Sequence, residues 1–141
     1  MRIAYPFGFT EEADGGFSVQ GLAPLTGVIT QGDSLGEARR NATEALTLML
    51  EGLLDDGDLV PAPPTVVPAG VEMIEPEPEV VPPLLLRWSR EAANLTQGEL
   101  ATRLGMTQQG YAKLERACAN PTVRTRARVA RSLGRQLHIE I

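Results

Sequence analysis

The sequence predicts an α+β fold in two parts: strands and one long helix first, then a small all-helical bundle with a closing strand. Three observations predict it. Runs with strand periodicity lead into one long amphipathic helix before residue 60, prolines crowd residues 61–83, and two short capped helical patterns meet at a glycine between residues 96 and 114. Charge divides near the same place. Up to Val80 fourteen acids face three arginines, net −11, and from Val81 onward ten bases face four acids, net +6. An acidic half fits a basic partner, and a basic half fits a polyanion.

In the first half, Ile3, Tyr5, Phe7 and Phe9 alternate with other residues, the period of a strand with one buried face. Pro6 cannot donate to a ladder, so this strand is expected at an edge or with that position turned outward. Asp14-Gly15-Gly16 supplies a turn, and residues 17–22 resume extended character with Phe17 and Val19 on one face. After Pro24, the β-branched run 26–31 reads as a third strand. Ser34 and Glu37 then form a capping box that opens the longest helix. Its apolar side runs through Leu35, Ala38, Ala42, Ala45 and Met49, widened by Leu46, Leu50, Leu53 and Leu54, and Asp55-Asp56-Gly57 ends it. The prolines that follow keep the chain extended, and residues 71–74 read as a fourth strand. The expected division is a domain over 1–75, a proline-rich linker over 76–83 and a second domain over 84–141.

That second domain is built on caps. Thr96 and Glu99 form a capping box, with Leu95 and Leu100 as a hydrophobic staple. Gly105 suits a left-handed helix end, Thr107 caps the next helix, and Met106 and Tyr111 repeat the staple. Leu100, Ala101 and Leu104 can then share a core with Tyr111 and Leu114. Gln108, Gln109, Lys113 and Arg116 are left outside. Glutamine can bond bidentately to adenine and lysine can reach guanine or phosphate, so this is a set suited to a duplex edge. Gln97, with backbone amides near Thr96 and Thr107, is suited to phosphate. A last helix is expected to bury Val123, Ala127, Ala130 and Leu133 and to leave Arg126, Arg128, Arg131 and Arg135 in water. Beyond Gly134, Leu137, Ile139 and Ile141 alternate like a strand, and this strand or the helix before it is expected to contribute to self-association.

Other chemistry finds little support. Cys118 is alone, which excludes a disulfide framework and a cysteine-rich zinc site and points to a reducing cytoplasm. No window reaches the roughly 18 apolar residues of a membrane span, and a soluble chain is expected. His138 and Ser89 have no sequence-visible triad partners. Asp14, Asp33, Glu44 and Glu51 have no spacing that marks one metal-binding cluster. No catalytic residue, metal or cofactor is expected.

Two resemblances follow from particular residues. Thr96-Gln97, Glu99-Leu100-Ala101, Leu104-Gly105, Thr107-Gln108-Gln109, Leu114-Glu115 and Asn120-Pro121 resemble the helix-turn-helix of phage-repressor-like regulators, over roughly residues 84–135. In such proteins the second helix enters the major groove by its N-terminal end, here residues 107–113. Ala117 departs from that pattern, which has glycine there; alanine disfavours positive φ, so another exit path is expected. Residues 12–17 (EADGGF), residues 26–34 (TGVITQGDS), Glu37-Ala38 and residues 59–63 (LVPAP) resemble the HicB antitoxin family over most of residues 1–75. One branch of that family carries a C-terminal helix-turn-helix.

The resemblance implies a partial ribonuclease-H-like first domain that masks HicA, a small basic RNA-cleaving toxin. It also implies a second domain that binds the operator of its own operon and represses it. Glu11, Glu12 and Asp14, beside the first hairpin, are expected to contribute to the toxin-binding face. Reading a two-fold operator calls for a homodimer with reading helices about 34 Å apart, and higher assembly through the first domains stays open. The alternative is a stand-alone repressor whose first domain senses a ligand or another protein.

Overall fold

The computed structural model describes residues 2–141, which cluster into two units, one running to Pro78 and the other Glu79–Ile141. The first holds strands β1 (Tyr5–Glu11), β2 (Phe17–Gly21) and β3 (Ile29–Gly32), helix α1 (Leu35–Asp56) and strand β4 (Glu72–Ile74). The strands form one antiparallel sheet in the order β3-β2-β1-β4. Gly15, at φ +90°, makes the first turn, and the Asp14 carboxylate braces it by accepting from the Gly16 amide at 3.0 Å.

The proline in β1 does not force that strand to an edge. Pro6 sits in a central strand, with its carbonyl accepting from the Leu22 amide at 2.9 Å. Its ring nitrogen therefore faces the β2 side one residue past the end of that strand. No ladder bond to β4 is lost.

Helix α1 begins at Ser34, whose hydroxyl accepts from the Glu37 amide, and ends at Gly57 in the left-handed region. Its inner side, Ala38, Ala42, Leu46 and Leu50, is fully buried with Tyr5, Phe7 and Val19 of the sheet. Small residues let the helix approach closely. A Cβ at Gly32 would lie 2.4 Å from the Ala38 amide nitrogen, so glycine is required there. On the open side of β3, Asn41 of α1 donates to the Gln31 carbonyl at 2.7 Å.

Residues 58–71 form no helix or strand, yet they are tied down. The Tyr5 hydroxyl donates to the Pro61 carbonyl at 2.7 Å, and burial raises the pKa of that phenol. Arg39 of α1 meets Glu72 of β4 through two bonds of 2.7 and 2.8 Å.

The second unit contains α2 (Val81–Ala92), α3 (Gln97–Leu104), α4 (Gln108–Ala112) and α5 (Val123–Ser132). Single 3₁₀ turns precede α2 and continue α4 over Lys113–Glu115. Helix α2 opens inside the stretch expected to be extended, because proline is well suited to a first helical turn. Leu86, Leu100, Ala101, Leu104, Tyr111 and Val129 form the core, flanked by Leu95, Met106, Leu114 and Leu133.

Helix α5 differs from expectation. Val123 occupies its first residue and is 53% exposed, while Val129 takes the core position. Two of its arginines hold backbone carbonyls instead of standing only in water: Arg126 donates to Pro121 at 3.0 Å and Arg128 to Leu104 at the end of α3. Residues 135–141 form no strand: the second unit holds only helices and offers no strand to pair with, and Ile139 and Ile141 are exposed.

Candidate nucleic-acid interface

Both caps of the helix pair are formed. Thr96 accepts from the Glu99 amide at 3.1 Å while Glu99 accepts from the Thr96 amide at 3.2 Å. Gly105 turns the chain at φ +68°, and the Thr107 hydroxyl accepts from the Gly110 amide at 3.0 Å. A single turn of chain thus carries α3 into α4, with Tyr111 fully buried between α4 and the core.

Gln108, Gln109, Lys113 and Arg116 are exposed, along α4, its 3₁₀ extension and the residue after it. Gln109 stands at the first turn of α4. Gln108 leans back over α3: its amide oxygen is 3.6 Å from where a Cβ on Gly98 would be, so glycine leaves it room. Arg116, extended at φ −81° and ψ 153°, makes the exit from α4 and its 3₁₀ extension. Ala117 needs no left-handed conformation; Asn94 is the one non-glycine residue at positive φ among the described residues.

Gln97 is half-buried and turned inward. Its amide donates to Glu115 at 3.3 Å, and Glu115 also takes two bonds from Arg90, at 2.7 and 2.9 Å. This Arg90–Glu115 pair joins α2 to the 3₁₀ turn that continues α4, with the Glu115 side chain 3% exposed. Burial works to raise the Glu115 pKa, but the hydrogen bonds from Arg90, with help from Gln97, more than offset it and hold the carboxyl below its ordinary value. The carboxylate in turn raises Arg90. Tyr111 lies beside the pair with its hydroxyl buried and no hydrogen bond of normal geometry; burial first and the nearby carboxylate second push its pKa up.

Sequence reasoning missed this pair. Glu115 was visible only as part of a motif, and Arg90 lies 25 residues earlier with no period to link them.

The acids of the first hairpin are exposed, and two of them serve the turn: Glu12 accepts from the Ser18 hydroxyl at 2.6 Å and Asp14 from the Gly16 amide. No group of three His, Cys, Asp or Glu side chains among the described residues is arranged to hold a metal ion.

Comparison with known proteins decides the family. A profile described as HicB_like antitoxin of bacterial toxin-antitoxin system matches residues 5–79, more than half of the chain. The chain belongs to the HicB-like antitoxins. A helix-turn-helix profile matches residues 86–138 of this antitoxin. Antitoxin HicB 1 of Photorhabdus laumondii is 28% identical over 140 residues, covering 99% of this chain and 88% of its own. Antitoxin HicB of Escherichia coli K12 is 27% identical, covering 97% and 98% respectively. An uncharacterized HTH-type transcriptional regulator of Methanothermobacter thermautotrophicus is 45% identical over 56 residues, covering 40% of this chain and 80% of its own. The crystal structure of the Burkholderia pseudomallei antitoxin HicB covers 77% of this chain and 90% of its own, at 18% identity and a TM-score of 0.45.

This HicB-like antitoxin is a binding protein of the α+β class, not an enzyme. None of its helices among the described residues is long and apolar enough to cross a membrane.

Proposed function

We propose that this antitoxin masks a small, basic, RNA-cleaving toxin of the HicA type through residues 1–75 and represses its own operon through residues 84–141. One observation carries the reading: the first half is net −11 and the second +6, and the positive half holds an outward row of Gln108, Gln109, Lys113 and Arg116. An acidic surface competes with RNA for a cationic protein, and Glu11, Glu12 and Asp14 belong to the field that draws the toxin in.

On the operator, Gln108, Gln109 and Lys113 read base edges, while Thr107, Gln97 and Arg116 meet phosphate. Contact with phosphate requires Gln97 to turn from Glu115. The functional unit is a cytoplasmic homodimer joined through residues after Gly134, where Leu137, Ile139 and Ile141 of two copies pair as strands.

The test uses the full chain, the duplex upstream of its gene and the purified product of the neighbouring short reading frame. Expected are a 1:1 complex with that product, loss of its RNA cleavage, and duplex binding that weakens steeply with salt. A chain that ignores both the neighbouring product and the upstream duplex at low salt would refute the proposal.

A further inference from the structure

We propose that the toxin seats on the outer face of α1, in the groove between that helix and the segment after β4. An apolar side chain of the toxin covers Leu48, and its lysines or arginines meet Glu44, Glu51 and Glu77. This rests on the reading of the chain as the mask of a cationic protein and adds the place of contact.

Helix α1 buries one side against the sheet, so its outer side should be polar if it met only water. Position 48 is instead leucine, 61% exposed. A groove of about 460 Å³ opens beside it, lined by Thr43, Glu44, Thr47, Glu51 and Glu77 as well. Residues 44, 48 and 51 share one helix face by their spacing of four and three. The far wall is fixed: the buried Thr47 hydroxyl donates to the Thr43 carbonyl at 2.7 Å and accepts from the Glu77 amide at 2.9 Å. That bond holds residue 77 against the helix.

Charge selects the occupant. Among the described residues, Glu44, Glu51 and Glu77 enter no ion pair, while Arg2 is committed to Glu75 and Arg39 to Glu72. Arg40 alone remains in this unit, at the groove itself. Three carboxylates outnumber that one cation around an exposed leucine, which leaves the groove net negative. The arrangement matches an interface centre in miniature, an apolar anchor with a charged rim, and its complement is an apolar residue flanked by cations. The hairpin acids act at longer range, as two of them are bound into their own turn.

The two contributions separate kinetically. Binding of the purified neighbouring-frame product to the full chain is followed by biolayer interferometry, for the parent, Leu48→Lys, the combined Glu44→Gln, Glu51→Gln and Glu77→Gln variant, and a variant with Glu11, Glu12 and Asp14 changed to lysine. Leu48→Lys and the triple glutamine variant are expected to weaken binding at least about tenfold, Leu48→Lys mainly through faster dissociation. The hairpin variant is expected to slow association instead. Leu48→Gln, which keeps helix propensity and adds no charge, must weaken binding in the same direction; unchanged melting temperature and duplex binding identify the loss as local. Parent-like affinity in the groove variants, with the parent itself binding, overturns this seat and leaves the masking function standing. A parent that does not bind overturns both.

Discussion

At the scale of single residues, the Arg90–Glu115 pair governs the second unit. A buried pair contributes little net energy, but removing one partner strands the other, at about 3–5 kcal/mol. Glu115→Gln is therefore expected to lower the denaturant midpoint sharply and also to release Gln97. The pH dependence follows from the depressed carboxyl. Its contribution is fully present above the ordinary carboxylate range and is lost as pH falls through the lower folded value, so the parent destabilises in acid and the variant shows a flatter profile. Urea melts at stepped pH values measure both. On the exposed edge the magnitudes differ: Gln109→Ala is expected to relax discrimination at about one base pair, by roughly 1–3 kcal/mol. Competition with operator duplexes altered one position at a time reads that directly, and a uniform loss over all duplexes would assign Gln109 to backbone contact.

At the scale of elements, caps and close approaches set the architecture. Gly105 adopts φ +68°, where alanine costs roughly 1 kcal/mol or more. Gly32→Ala meets the α1 backbone itself and is expected to cost about 1–3 kcal/mol through displacement of the helix from the sheet; thermal melting against the milder Gly27→Ala, whose nearest neighbour is a methionine side chain at 3.8 Å, checks it. Elements of this kind were legible from the chain because their signals are local. Ser34, Thr96 and Thr107 announce helix starts, Gly57 and Gly105 announce ends, and the period of Tyr5, Phe7 and Phe9 announces a buried strand face. What sequence could not supply was pairing over distance. The order of strands put Pro6 in a central strand, Val129 displaced Val123 from the core, and Arg90 found Glu115, each decided by three-dimensional packing that no short window contains. The exposed row on α4 and just after it follows from spacing alone, while the inward turn of Gln97 depends on Glu115, which only the fold brings beside it.

For the whole molecule, the division of charge makes two testable demands. Duplex binding should fall steeply with added salt, and each lysine or arginine removed from a phosphate contact should reduce the slope of log affinity against log salt by about one. Deleting residues 135–141 should dissolve the proposed dimer in sedimentation and weaken operator binding; an undiminished dimer would place the joint elsewhere. A different consequence attaches to Asn41, whose side chain claims the outward Gln31 carbonyl. Because one acceptor on that margin of the sheet is already taken, fresh copies crowding together meet one docking point fewer for runaway stacking. Asn41→Ala should scatter light at concentrations where the parent solution stays clear.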